Sequence, residues 1–252
     1  MNEFDLKERV VVITGAGGRL GSEFSHVVQK HGGKAAMLDL SYSSSRLISD
    51  SELHLSVDIT QPEQMKEAAE EIRKRWGVSY GLVNNACIQP KGFCDTVEDY
   101  DLATWRKVMS VNLDGLFLCS QVFGREMAEN GGGSIINISS IYGMNGANFS
   151  LYKGLPFNTP PSYAASKAAV LGLTRYLACY WGDRNIRVNA VTPGGVEDGQ
   201  PDVFIARYSE HTPVKRMARK DEMNGAVLYL LSDASSYVNG HNLVVDGGFG
   251  AW

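Results

Sequence analysis

Short, almost uniformly apolar runs rich in β-branched residues alternate along the chain with longer segments whose apolar positions recur every three to four residues. The short runs predict strands at Arg9–Thr14, Lys34–Asp39, Leu53–Asp58, Gly81–Asn84, Ser134–Ser139, Arg187–Thr192 and Asn242–Asp246. The amphipathic segments predict helices at Leu20–His31, Pro62–Trp76, Asp101–Glu129, Ser162–Gly182 and Asp221–Ser232. Strands that are apolar at consecutive positions are buried on both faces, and that is the condition of a parallel sheet covered by helices. The expected class is α/β, a doubly wound seven-stranded parallel sheet with helices on both faces, in a single domain over 1–252.

Three stretches break the rhythm. Ser41–Ser51 is serine-rich and reads as a loop, or a poorly formed helix. Gly143–Pro161 is too rich in Gly, Asn and Pro for either periodicity, and Glu197–Lys220 reads as a loop with a short helix inside it. The chain thus divides at about residue 140, a regular half of about 1–140 being followed by irregular loops at about 143–161 and 197–220. No internal repeat or linker separates domains.

Composition narrows the possibilities. At 252 residues, 44% hydrophobic and 21% charged, the chain can bury a substantial core. A net charge of -4 and no basic cluster argue against nucleic acid or an anionic membrane as partner. Cys87, Cys94, Cys119 and Cys179 form no CxxC pair, and the five histidines show no metal-ligand spacing, so no metal is expected and the thiols read as reduced and mostly buried. The acidic start of the chain lacks the basic and apolar regions of a signal peptide, and no apolar stretch reaches the ~18 residues of a membrane span. The expected location is the cytoplasm.

Candidate chemistry begins at the first strand, which ends in Thr14-Gly15-Ala16-Gly17-Gly18-Arg19-Leu20-Gly21 and runs into a helix. Glycines at such a turn let the backbone approach a pyrophosphate, whose charge is favoured at the helix N-terminus. Asp39 closes the second strand about twenty residues on, where a carboxylate accepts from ribose hydroxyls and repels a 2′-phosphate. NAD is therefore expected over NADP, with Arg19 and Arg46 as the counter-evidence. Farther along, Tyr163 and Lys167 stand one turn apart on one helix face. A phenol has a pKa near ~10, and a fixed ammonium beside it favours the phenolate.

These motifs together resemble the short-chain dehydrogenase/reductase family over essentially the whole length, which implies a Rossmann-like sheet and NAD(P)-dependent alcohol–ketone chemistry. Thr14, Gly15 and Gly21 match the family's TGxxxGxG turn, with Arg19 in place of the middle glycine. Asn84-Asn85-Ala86-Cys87 matches NNAG except for its last residue. The resemblance implies a catalytic set of Asn112, Ser140 (Ser139 the alternative), Tyr163 and Lys167. It implies cofactor contacts from Gly15, Gly18, Arg19, Leu20, Gly21, Asp39, Asp58, Ile59, Asn85, Ala86, Tyr163, Lys167, Pro193, Gly194 and Val196. Pro193-Gly194-Gly195-Val196 resembles the PGxV segment bordering the nicotinamide, with Asp198 where a threonine usually follows. Val245-Asp246-Gly247-Gly248 matches the family's last strand and turn.

The segment between Ser140 and Tyr163 is longer than in most family members and must emerge beside the catalytic centre. Its amide, aromatic and cationic groups suit a polar, sugar-like or cyclitol secondary alcohol, and the modified glycine turn with this insertion resembles the family's sugar and surface-glycan branch. Asn148, Tyr152, Lys153 and, from the second loop, His211 are the candidate substrate contacts. A 3-oxoacyl-carrier-protein ketoreductase and a non-catalytic NAD-sensing regulator are the alternatives. Family members usually assemble through their two long helices, so a homotetramer or homodimer is expected, with Leu113, Leu116, Phe117, Ala165, Ala168, Ala169 and Leu173 on the relevant faces. Trp252 at the tail is a candidate to dock on a neighbouring subunit.

Overall fold

The computed structural model describes residues 3–251. Eight strands form one sheet: β1 (Val10–Thr14), β2 (Lys34–Leu38), β3 (Arg46–Ser49), β4 (Glu52–Leu55), β5 (Gly81–Asn84), β6 (Gly133–Ile138), β7 (Ile186–Pro193) and β8 (Asn242–Val245). Their order is β3-β4-β2-β1-β5-β6-β7-β8. Every pairing is parallel except β3 with β4, which is antiparallel and carries a register shift between Leu47 and Ser49.

The eighth strand corrects the sequence expectation. All four residues of β3 are exposed, so the segment lacks the apolar run that marks a buried strand. Backbone pairing along the sheet edge holds it instead, and a serine-rich exposed edge carries no periodic signal. The following strand is also shorter than expected, because Ser56–Asp58 already turn toward the next helix.

Seven α-helices flank the sheet: α1 (Arg19–Lys30), α2 (Pro62–Trp76), α3 (Leu102–Met109), α4 (Leu116–Glu129), α5 (Pro161–Trp181), α6 (Asp202–His211) and α7 (Asn224–Leu231). Alternating residues of β1 show why its run is continuously apolar. Val10 and Val12 pack into a core with Met65 and Ile72 of α2 and Phe123 of α4, while Val11 and Ile13 enter a second core with Phe24 of α1 and Val227 of α7. Burial of each such large side chain stabilises the fold by about 1.5–3 kcal/mol. Proline at the first helical position starts α2 and α5, where its missing N–H costs nothing.

The long helix expected over Asp101–Glu129 is interrupted. Ser110–Gly115 forms a π-helical turn between α3 and α4, which inserts one extra residue into the winding. Asn112 is thereby buried to 1% exposure inside the turn.

Between β6 and α5, Phe149–Tyr152 forms a 3-10 turn that packs against α6. Leu151, Phe204 and Tyr208 are buried together there, with Tyr152, Phe157 and Phe249 against them. Arg207 of α6 clamps the same turn by donating to the carbonyls of Leu151 and Lys153, at 3.2 and 2.7 Å. The two irregular segments thus form one lobe over the carboxyl ends of the strands. Phe249 stacks on Tyr208 with ring centroids 4.7 Å apart, so this tail aromatic is seated on its own chain. Trp252 lies outside the described residues.

Candidate active site

A cavity of about 720 Å³ opens at the carboxyl ends of β1, β5, β6 and β7 and runs from the glycine turn to the lobe. The strand order reverses there between β1 and β5, the crevice in which doubly wound sheets bind ligands.

At one end, Gly15 has φ of +62°, and an added Cβ would lie 2.7 Å from the Ala86 Cα. Asn85 secures the turn by donating from Nδ2 to the carbonyls of Thr14 and Gly15, each at 3.1 Å. Asp39 accepts from the Gly17 N–H at 2.9 Å and the Ser41 N–H at 2.8 Å, so its carboxylate is fixed beside the turn. Gly15, Gly18, Arg19, Leu20, Asp39, Asn85, Tyr163, Lys167, Pro193, Gly194 and Val196 all line the cavity.

Four other expected cofactor positions do not line it. Gly21 lies behind the turn, where any Cβ would run into the Gly15 carbonyl. Asp58 accepts from both the N–H and the hydroxyl of Thr60 at the approach to α2, Ile59 is buried in the core, and Ala86 packs beneath the turn.

The two departures from the family pattern meet. Arg19 forms an ion pair with Asp198 and donates to the Glu197 carbonyl, bridging the glycine turn to the segment after β7. Its guanidinium is thus turned toward the loop, and Arg46 sits on the exposed edge strand outside the cavity wall.

At the other end, Ser140 and Tyr163 both line the cavity. Ser139 Oγ is committed to the Lys167 carbonyl at 2.9 Å, which leaves Ser140 as the available hydroxyl. Lys167 is buried, its Nζ donating to the Ile138 carbonyl at 2.7 Å and lying 5.7 Å from the Tyr163 ring centroid. Burial pushes the Tyr163 phenol above its ordinary value, with the Cys87 thiol adding to the rise and the Ser140 hydroxyl opposing it. Desolvation lowers Lys167. The phenol is therefore raised where a depression by the ammonium was expected, because burial disfavours the phenolate. Asn112 accepts from the Ile88 N–H at 3.3 Å and donates to Ser166 Oγ at 3.2 Å, one layer behind the cavity.

Of the expected substrate contacts, only Tyr152 lines the cavity. Asn148 caps the 3-10 turn by accepting from the Ser150 N–H and hydroxyl. Lys153 is exposed, and His211 ends α6 with Nδ1 on the Arg207 carbonyl. Residue type suggested all three, but the backbone turns them away from the wall. The wall instead recruits Gln89, Phe93, Cys94, Tyr142, Asn158 and Thr159. Asn158 and Thr159 fall inside the insertion but were not among the expected contacts. The thiols are all free, but only Cys119 is buried; Cys179 is exposed, and Cys87 and Cys94 face the cavity. Among the described residues, no cluster of His, Cys, Asp and Glu could hold a metal ion, and no helix is long and apolar enough to cross a membrane.

Comparison with known proteins agrees with this geometry. Residues 15–250 match the family model described as enoyl-(acyl carrier protein) reductase. Galactitol 2-dehydrogenase (L-tagatose-forming) of Cereibacter sphaeroides is 36% identical over 263 residues, covering 99% of this chain and 98% of the relative. A short-chain dehydrogenase of Leptospira borgpetersenii, solved with bound NAD+, superposes with a TM-score of 0.90 at 34% identity, covering 98% of this chain and 94% of that one. A gluconate 5-dehydrogenase of Burkholderia cenocepacia, solved with NADP and tartrate, gives a TM-score of 0.86 at 29% identity, covering 100% and 98%. The chain belongs to the short-chain dehydrogenase/reductase family and is an NAD(P)-dependent oxidoreductase that interconverts a secondary alcohol and a ketone.

Proposed function

We propose that this protein is an NAD-dependent dehydrogenase of a polyhydroxylated, sugar-like secondary alcohol, with Ser140, Tyr163 and Lys167 as its catalytic residues. The observation that carries this reading is that Ser140, Tyr163 and Lys167 share the wall of one cavity with Asp39 and the glycine turn. The residues present fit the dinucleotide: Gly15 and Gly18 present bare backbone in the cavity wall for a pyrophosphate, and Asp39 stands where adenosine ribose hydroxyls need an acceptor. Arg19, engaged by Asp198, is not turned toward a 2′-phosphate, which supports NAD.

Nicotinamide, when bound, supplies the hydride acceptor or donor. The chain does the rest. Ser140 orients the substrate oxygen through its hydroxyl. The Tyr163 phenol, kept protonated by burial, gives its proton to a ketone oxygen in reduction, and in oxidation its deprotonated form takes the proton of the alcohol. Lys167 places a cation behind the phenol and stabilises the phenolate that forms after donation. Asn112, fixed in the π turn, supports the path by which that proton is exchanged with solvent.

Two further features belong to this reading. α4 and α5 expose Phe117, Tyr176 and Tyr180, the helices on which a homotetramer or homodimer would form. A monomeric mass in solution would oppose that assembly. The cytoplasm suits an enzyme with reduced thiols, Cys87 and Cys94, in its cavity.

The test is NAD reduction, followed by absorbance, with galactitol, glycerol and cyclic diols. Turnover of at least one such alcohol is expected. Activity confined to acyl thioesters or steroids would refute the substrate class.

A further inference from the structure

Apart from Lys167 behind the phenol, the substrate end of the cavity carries no charged side chain. From Gln89 through the lobe to Met217, its uncharged wall is made of amides, phenols, two serines, one threonine, thiols and apolar side chains, and the charged residues of the whole cavity are Arg19, Asp39, Asp198 and Lys167. The first three stand at the dinucleotide end, and the Lys167 ammonium is engaged by the Ile138 carbonyl. Removing a carboxylate or phosphate from water without a partner cation costs several kcal/mol.

The insertion also presents a specific hydrogen-bonding pattern. Thr159 Oγ1 donates to Tyr152 Oη at 2.7 Å, and Tyr152 Oη shares a bond with Tyr142 Oη at 2.6 Å. Burial pushes the Tyr152 phenol up, so it keeps its proton. Three hydroxyls hold three protons, and these two bonds use only two of them. One O–H, on Tyr142 or Tyr152, is therefore left to donate. Beside Thr159, Asn158 lines the cavity with a buried Oδ1 that has no partner in the protein, leaving an acceptor unmatched. An unsatisfied buried acceptor costs about 1–3 kcal/mol.

We propose that the substrate is an uncharged polyol or cyclic alcohol and that Asn158, with the Tyr142–Tyr152 pair, determines specificity by binding one of its non-reacting hydroxyls. A hydroxyl donates and accepts at once, so it satisfies both the spare O–H and Asn158 Oδ1. A carboxylate only accepts; it would satisfy the phenol and oppose the Asn158 oxygen. This inference rests on the dehydrogenase reading and adds the charge of the substrate and the residues that select it.

The experiment measures kcat/KM with NAD for galactitol and cyclohexane-1,2-diol against D-gluconate and sorbitol 6-phosphate. NADH affinity is measured separately by fluorescence. A preference of at least ~100-fold for the neutral alcohols is expected, since each unpaired contact is worth about a factor of ten. Asn158→Ala should raise KM for the neutral alcohol about tenfold while kcat and NADH affinity hold, and Asn158→Asp, which retains an acceptor, should restore part of the loss. Asn158→Lys should raise activity toward gluconate. Equal or better wild-type turnover of either anion, or an unchanged KM in folded Asn158→Ala, overturns the inference while leaving the dehydrogenase intact. NADH binding with no turnover of any alcohol overturns both.

Discussion

Asp39 gives the sharpest handle on cofactor choice. Its two oxygens accept from the Gly17 and Ser41 N–H groups at 2.9 and 2.8 Å, which holds the half-buried carboxylate at the mouth of the glycine turn. A 2′-phosphate about 5 Å away at an effective dielectric of about 20 would meet roughly 3 kcal/mol of repulsion per unit charge, which partial exposure and salt reduce to about 1–2 kcal/mol. The same carboxylate contributes about 1.5–3 kcal/mol through a charge-assisted bond to a ribose hydroxyl. Together these predict that NADH binds about 100- to 1,000-fold more tightly than NADPH. Asp39→Asn removes the charge, and because an amide offers one acceptor where the carboxylate offered two, only one of the two backbone bonds survives. NADH affinity should fall about tenfold or more, NADPH should bind about tenfold better, and the preference should largely disappear. Fluorescence titration of both dinucleotides, with a thermal midpoint to confirm folding, decides it. Equal affinities in the wild type, or a folded Asp39→Asn protein with an unchanged ratio, would refute the reasoning.

The acid–base assignment predicts opposite pH profiles for the two directions. A phenol raised by burial is protonated at neutral pH, so kcat/KM for oxidation should climb about tenfold per pH unit into the alkaline range, while ketone reduction stays flat and declines only at higher pH; an oxidation profile already flat below pH 8 would contradict it. The Arg19–Asp198 pair, partly exposed at 32% and 61%, should couple by less than about 1 kcal/mol in thermal stability in an Arg19→Gly/Asp198→Thr cycle. Because it spans the cleft, either single change should still speed NADH release in stopped flow, and unchanged release would show that the bridge does not retain the dinucleotide. Glu222 is held down to about 2, chiefly by its bonds to Arg216, so it stabilises the fold above its unfolded value near 4.5 and loses that contribution as pH falls toward 2. Glu222→Gln should flatten the acid limb of a stability titration, and an unaltered limb would remove the pair from the account.

How much could be read from the sequence depended on what each residue does. The core strands were legible because burial on both faces forces continuous apolar runs, as the split of Val10 and Val12 from Val11 and Ile13 shows. The edge strand Arg46–Ser49 was not, since pairing alone holds it. The π turn escaped notice because one extra residue scarcely alters hydrophobic spacing, yet it is what fixes Asn112. Tyr163 and Lys167 were legible as a pair, because a helix places positions four apart on one face, whereas Ser140 came only from the family resemblance; all three line the cavity. Substrate contacts were the weakest reading. Asn148, Lys153 and His211 were chosen for their functional groups, but one caps a turn, one is exposed and one ends a helix. The insertion supplies Tyr152, Asn158 and Thr159 to the cavity wall.

The central claim is that the Tyr163 phenol transfers the proton of a bound secondary alcohol. It is tested most directly by alcohol turnover in Tyr163→Phe beside that variant's NADH affinity. Removing the hydroxyl while keeping the ring and its edge-on contact with Phe93 should lower turnover by about 100-fold to 10,000-fold, with NADH binding within a few-fold of wild type. Wild-type turnover in a folded Tyr163→Phe enzyme would contradict it.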